Sequence, residues 1–160
     1  MGTLETYEAC WRNILPYTTG DSADDRILNV INILKEHYGL FAYKVEDGMY
    51  KDYYAVKYKG LEIHIDIIEY EVIGFDLIAG YLNEENVLDM YKVLDLVNSI
   101  NCGASLVNAY YYEEYDSFII ATSQYVGNKE IDPESLSFML KNIADYYYRY
   151  RNMITSILLS

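Results

Sequence analysis

The chain has 160 residues, with 25 Asp and Glu against 12 Lys and Arg, a formal charge of −13 and a pI near 4.4. One domain of this length buries about two-thirds of the surface its unfolded chain exposes, so it needs no disulfide or metal staple. So acidic a surface, with no basic run to compensate, excludes nucleic acid and anionic membrane as partners, because binding to phosphate rests on Lys and Arg displacing counterions.

The first residues, Met-Gly-Thr-Leu-Glu-Thr-Tyr-Glu, lack the positive and apolar stretches of a secretory signal. The most apolar runs, Leu61–Ile68 and Val72–Ala79, are both interrupted by acids, so no membrane helix is expected and a soluble, cytoplasmic protein is. Cys10 and Cys102 match no metal or disulfide pattern, and no cofactor is expected. Leu4, Tyr7, Trp11, Ile14 and Leu15 recur at helical spacing up to Pro16, which makes residues 1–20 an amphipathic arm and linker, with 21–160 a single domain. Asp21 or Ser22 caps the next helix, whose stripe is Ile27, Leu28, Ile31 and Leu34 and whose stop is Gly39.

From Phe41 to Leu82 the period becomes two, giving three or four antiparallel strands with turns at Asp47-Gly48 and Lys59-Gly60. Leu61, Ile63, Ile65 and Ile67 then share one face and Glu62, His64 and Asp66 the other. Ile73, Phe75, Leu77 and Ala79 define the buried face of the following strand. Asn83 caps a helix with Glu84 and Glu85 in its first turn and Val87, Leu88, Tyr91, Leu94 and Val97 as its buried stripe, ending near Asn101-Cys102-Gly103. Strands over Leu106–Tyr112 and Phe118–Tyr125 follow, joined by Glu113-Glu114-Tyr115-Asp116. Asp132-Pro133 then opens a helix to about Leu158, with a seam of Leu136, Leu140, Ile143, Tyr147, Tyr150 and Ile154. Helices grouped against an antiparallel sheet in the order αβββαββα make a two-layer α+β domain.

Three stretches of this order carry a resemblance: Leu94-Asp95-Leu96-Val97-Asn98-Ser99-Ile100-Asn101 at a helix end, the hairpin Leu106–Tyr125, and Ile131-Asp132-Pro133-Glu134-Ser135-Leu136 at the last helix start. From about Asp21 to Ile157 the chain resembles the type III secretion chaperone-like fold, in particular the YbjN-type family of sensory transduction regulators. The resemblance implies a dimeric, non-enzymatic binding or chaperone-like module with no catalytic residues to carry over.

No phosphate-cradling glycine loop and no serine-hydrolase elbow occurs. Glu62, His64 and Asp66 project from one strand face about 7 Å apart, within reach of a divalent metal, and Asp76 on the next strand can join them. The reading preferred over a metal site is a solvated sheet face, because a lone His among carboxylates is a weak ligand set. The 20 tyrosines concentrate at Tyr110-Tyr111-Tyr112-Tyr115 and at Tyr146-Tyr147-Tyr148-Arg149-Tyr150-Arg151. Consecutive residues face both sides of a strand and step around a helix, so one monomer core cannot take them all. Exposed Tyr beside Arg suits a contact surface, which points to Tyr147, Tyr150, Arg151, Tyr111 and Trp11 as partner-binding residues. The expected function is a non-enzymatic protein-binding module forming a homodimer. The alternative is a small-molecule or metal-binding domain, or a small enzyme, using the Glu62, His64 and Asp66 face.

Overall fold

The computed structural model describes residues 20–45, 53–68, 71–81, 90–103, 106–112, 116–127 and 129–158. The arm with Trp11, the Asp47-Gly48 turn, the helix start at Asn83-Glu84-Glu85 and Glu113-Glu114-Tyr115 lie outside the described residues. The elements are α1 (Gly20–Tyr38), β1 (Ala42–Val45), β2 (Tyr53–Tyr58), β3 (Leu61–Ile68), β4 (Val72–Tyr81), α2 (Met90–Gly103), β5 (Asn108–Tyr112), β6 (Ser117–Tyr125) and α3 (Pro133–Leu158). The first run of strands is thus four. The sheet is antiparallel throughout, in the order β1-β2-β3-β4-β6-β5, and the fold is α+β as expected.

Local chemistry sets the boundaries. Gly39 at φ 64 closes α1, its N–H bonding Lys35 O while Leu40 N–H bonds Leu34 O. Lys59 and Gly60 both have positive φ, 48° and 78°, and Tyr58 pairs with Leu61, so the β2–β3 hairpin is the two-residue type whose twist matches the strands. Asp132 caps α3: Oδ1 accepts Glu134 N–H at 3.2 Å and Oδ2 the Ser135 hydroxyl at 3.2 Å.

One hydrophobic layer joins the sheet to the helices. Ile63, Ile65, Ile67, Phe75, Leu77, Phe118 and Ile120 meet Val30 and Leu34 of α1, Val93, Leu96 and Ile100 of α2, and Leu136, Leu140, Ile143 and Ile154 of α3. Each such side chain contributes about 1.5–3 kcal/mol on leaving water. Helix α1 packs on β1 and β3, α3 on β4 and β6, and α2 on β5 and α3. No described helix packs on the opposite sheet face.

The rotation of α2 differs from expectation. Tyr91 is 82% exposed and Leu94 47%, while Val93, Leu96 and Ile100 are buried and Val97 is partly so. Both frames are apolar at helical spacing, and a tertiary bond decides between them. Asn101, on the stripe of Val93 and Val97, donates from Nδ2 to Ala109 O at 2.9 Å and accepts from Ala109 N–H through Oδ1 at 2.7 Å. The Asn101 side chain thus serves as a strand partner for β5 and turns Tyr91 and Leu94 outward.

Candidate functional site

Alternation along β3 sends Leu61, Ile63, Ile65 and Ile67 into the core and leaves Glu62, His64 and Asp66 on the face away from the helices. The two-residue turn fixes Lys57 opposite Glu62 and Ala55 opposite His64. Pairing with β4 puts His64 opposite Asp76 and Asp66 opposite Gly74. His64 Nδ1 lies 3.2 Å from Asp76 Oδ1, and both side chains are only 13% exposed. The Tyr53 ring covers His64 at 4.3 Å between centroids.

Burial decides the charge states here. Asp66 is pushed well above the usual carboxyl range by burial first, then by the negative charge of Asp76 and the hydrogen bond it makes to it. Asp76 is also raised by burial, and the bond from Asp66 opposes that rise. When the pair carries one proton, Asp66 is the donor and Asp76 the acceptor, an arrangement in which like charges avoid meeting in a poorly solvated place. Burial likewise lowers His64, against the pull of Asp66 and Glu62. Glu62 is held below the ordinary carboxylate range chiefly by the Tyr43 hydroxyl, which donates to its Oε2 at 2.5 Å. Tyr43 itself is raised to about 12 by burial, then by that hydrogen bond and the Glu62 charge.

The three residues of the metal alternative therefore do different things. Glu62 accepts from Tyr43, Asp66 is hydrogen-bonded to Asp76, and Glu62 Oε1 stays 3.7 Å from His64 Nε2. Among the described residues no group of three or more His, Cys, Asp or Glu converges on a point that a metal ion can occupy.

A cleft of about 360 Å³ opens beside this cluster, lined by Tyr53, Lys57, Gly60, Leu61, Glu62, His64, Leu77, Ile78, Tyr81 and Tyr147. Its origin is a split in the sheet. The register between β3 and β4 runs from Ile68↔Val72 only as far as His64↔Asp76, whereas β4 continues along β6 to Tyr81↔Ser117 through an irregularity between Ile78 and Gly80. Leu61–Ile63 and Leu77–Tyr81 thus diverge, and Tyr147 closes the wedge from the helix layer.

The tyrosine clusters divide as strand and helix geometry require. Tyr147 and Tyr150 are half-buried and pack against the core, Tyr150 stacking parallel to Tyr146 at 6.4 Å. Tyr148 is exposed and donates to Lys59 O, bridging α3 to the β2–β3 turn. Arg151 is exposed, with its guanidinium 6.0 Å from the Tyr148 ring, and Arg149 lies 5.0 Å over Tyr146. Tyr111 faces the core and donates to Asp116 Oδ1, while Tyr110 and Tyr112 alternate to the far sheet face. Sequence reasoning missed Tyr43, Tyr53 and Tyr81. For Tyr53 the signal was available, because a turn centred on Lys59-Gly60 places it beside His64.

No protein-family model and no curated protein matches the chain. Among solved structures it is similar to an uncharacterized protein from Methanothermobacter thermautotrophicus, at 16% identity and a TM-score of 0.52 over 84% of this chain and 97% of that one. That likeness is one of fold.

Proposed function

We propose that the chain is a non-enzymatic, chaperone-like protein-binding module, and a homodimer, that meets its partner with the sheet face turned away from the helices. One observation carries this reading: the described helices all pack on one side of the six-stranded sheet. The other side presents half-buried Tyr43, Tyr53, Tyr110, Tyr112 and Ile78 and exposed Tyr125. Tyrosine-rich surfaces bury much area at low entropy cost. The −13 charge selects a basic protein face as the complement, and the resemblance to secretion-chaperone-like regulators supports the same role. Tyr147 and Tyr150 serve this surface less directly than the sheet tyrosines, since their rings already pack on the core.

The test places a photo-crosslinking residue at Tyr110 on the sheet face or at Leu28 on the exposed side of α1, in the full-length chain. A basic protein captured from position 110, absent from position 28 and released by raised salt, is the expected result. Equal capture at both positions sinks the assignment of the face. Sedimentation of the purified chain reads the dimer, and a monomer at all concentrations removes that part.

A further inference from the structure

The cleft between the diverging ends of β3 and β4 is a built pocket with a defined chemistry. Tyr53, Tyr81 and Tyr147 line it, and the quadrupole of a tyrosine ring attracts cations to its face. Glu62 supplies a carboxylate that the Tyr43 hydroxyl keeps ionised through Oε2. The other oxygen, Oε1, has His64 Nε2 at 3.7 Å, too far for a hydrogen bond. Lys57 is the competing cation at the rim, 65% exposed, with Nζ 3.9 Å from Glu62 Oε2. An exposed pair this long is weak and yields to a better donor. The backbone adds to the site: the two-residue turn makes Tyr58 and Leu61 the hydrogen-bonded pair, so Glu62 aims its own N–H and C=O towards β4, where it has no register partner.

We propose that this wedge is the anchor pocket for an arginine side chain of the protein partner. The inference rests on the protein-binding reading above and names the chemistry of one contact within it. A planar guanidinium stacks on the tyrosine rings, donates to Glu62 Oε1 and leaves donors over for a backbone carbonyl, which the single point charge of a lysine does less well. The volume of about 360 Å³ admits one side chain rather than a folded segment. The acidic surface steers such a group inward.

The experiment titrates the full-length chain with N-acetyl-arginine amide and follows the tyrosine ring and His64 resonances by NMR. Saturable shifts at Tyr53, Tyr81 and Tyr147, with a Kd on the order of 1 mM, are expected. The uncharged isostere N-acetyl-citrulline amide binds at least about tenfold more weakly, and Glu62→Gln loses about tenfold. Tyr81, which is 56% exposed, tolerates replacement, and Tyr81→Leu weakens the probe about threefold to tenfold. Lys57→Ala tightens binding, because it removes the competing cation; a merely structural role for these residues predicts no gain. Citrulline binding as well as arginine, shifts spread over the whole surface, or weaker binding by Lys57→Ala overturns the proposal. A silent probe with sheet-face crosslinking intact removes the pocket alone. A bound probe with no partner crosslinked removes the assignment to a protein side chain and, with it, the protein-binding reading.

Discussion

Replacing Asn101 by Ala deletes the two hydrogen bonds that tie the end of α2 to β5. Each bond of this kind is worth about 0.5–1.5 kcal/mol net, so the pair amounts to about 1–3 kcal/mol. The upper half of that range applies because Ala109 is buried and its N–H and C=O are left without their partner. Urea unfolding is the assay: the midpoint falls while the slope stays unchanged, and a loss of about 2 kcal/mol lowers the melting temperature by about 4–8 °C in a chain of this size. Asn101→Asp retains the acceptor for Ala109 N–H and opposes Ala109 O with a carboxylate, so it falls between wild type and Asn101→Ala. Hydrogen exchange of the Ala109 amide accelerates in both variants. An Ala variant within about 0.5 kcal/mol of wild type, or an Asp variant equal to wild type, refutes the claim that this side chain sets the rotation of α2.

The same rotation is read independently by Leu96→Ala, expected to cost about 2–5 kcal/mol at a buried site, against Leu94→Ala, expected to cost under about 1 kcal/mol; equal losses restore the other frame. Asp66 has its folded pKa raised above the unfolded value near 3.9, so its contribution to stability is fully present below that value and is lost as pH rises through the folded pKa. Asp66→Asn keeps a donor to Asp76 without titrating. Relative to wild type it gains stability as pH rises from 4 to 8, and parallel urea midpoints across that series count against a shared proton. Glu62→Gln removes the charge and weakens the hydrogen bond that help hold Tyr43 at about 12, so the Tyr43 phenol, followed by carbon-13 labelling of its ring, titrates lower but stays above its ordinary value because burial persists. No change there refutes the Tyr43–Glu62 pairing.

The parts legible from sequence were those governed by period and local chemistry. The alternation of β3, the turn at Lys59-Gly60, the Gly39 stop and the Asp132-Pro133 start are written in single residues or short spacings. The face shared by Glu62, His64 and Asp66, with Asp76 beside it, follows from the same alternation and one further strand. The phase of α2 was not legible, because its sequence is apolar in two frames and a single asparagine bond to a later strand chooses between them. The upward shift of Asp66 was equally hidden, since it depends on how far the sheet face is buried. The cleft depends on where β3 stops pairing with β4, which is set by the longer pairing of β4 with β6.

That unequal pairing has a mechanical meaning. The β3–β4 register has five residue pairs and the β4–β6 register nine, so the far end of β4, Leu77–Tyr81, is held by β6 and not by β3. The β1-β2-β3 half of the sheet is backed by α1, and the β4-β6-β5 half by α2 and α3. Straps cross between them: Arg26 donates to Gly127 O, Tyr38 to Pro133 O and Tyr148 to Lys59 O. Any separation of the ends of β3 and β4 widens the mouth between Glu62 and Tyr81 and leaves the paired stretch from His64 and Asp76 to Ile68 and Val72 in place. The buried acid pair therefore sits where the β3–β4 pairing stops, at the inner end of the cleft.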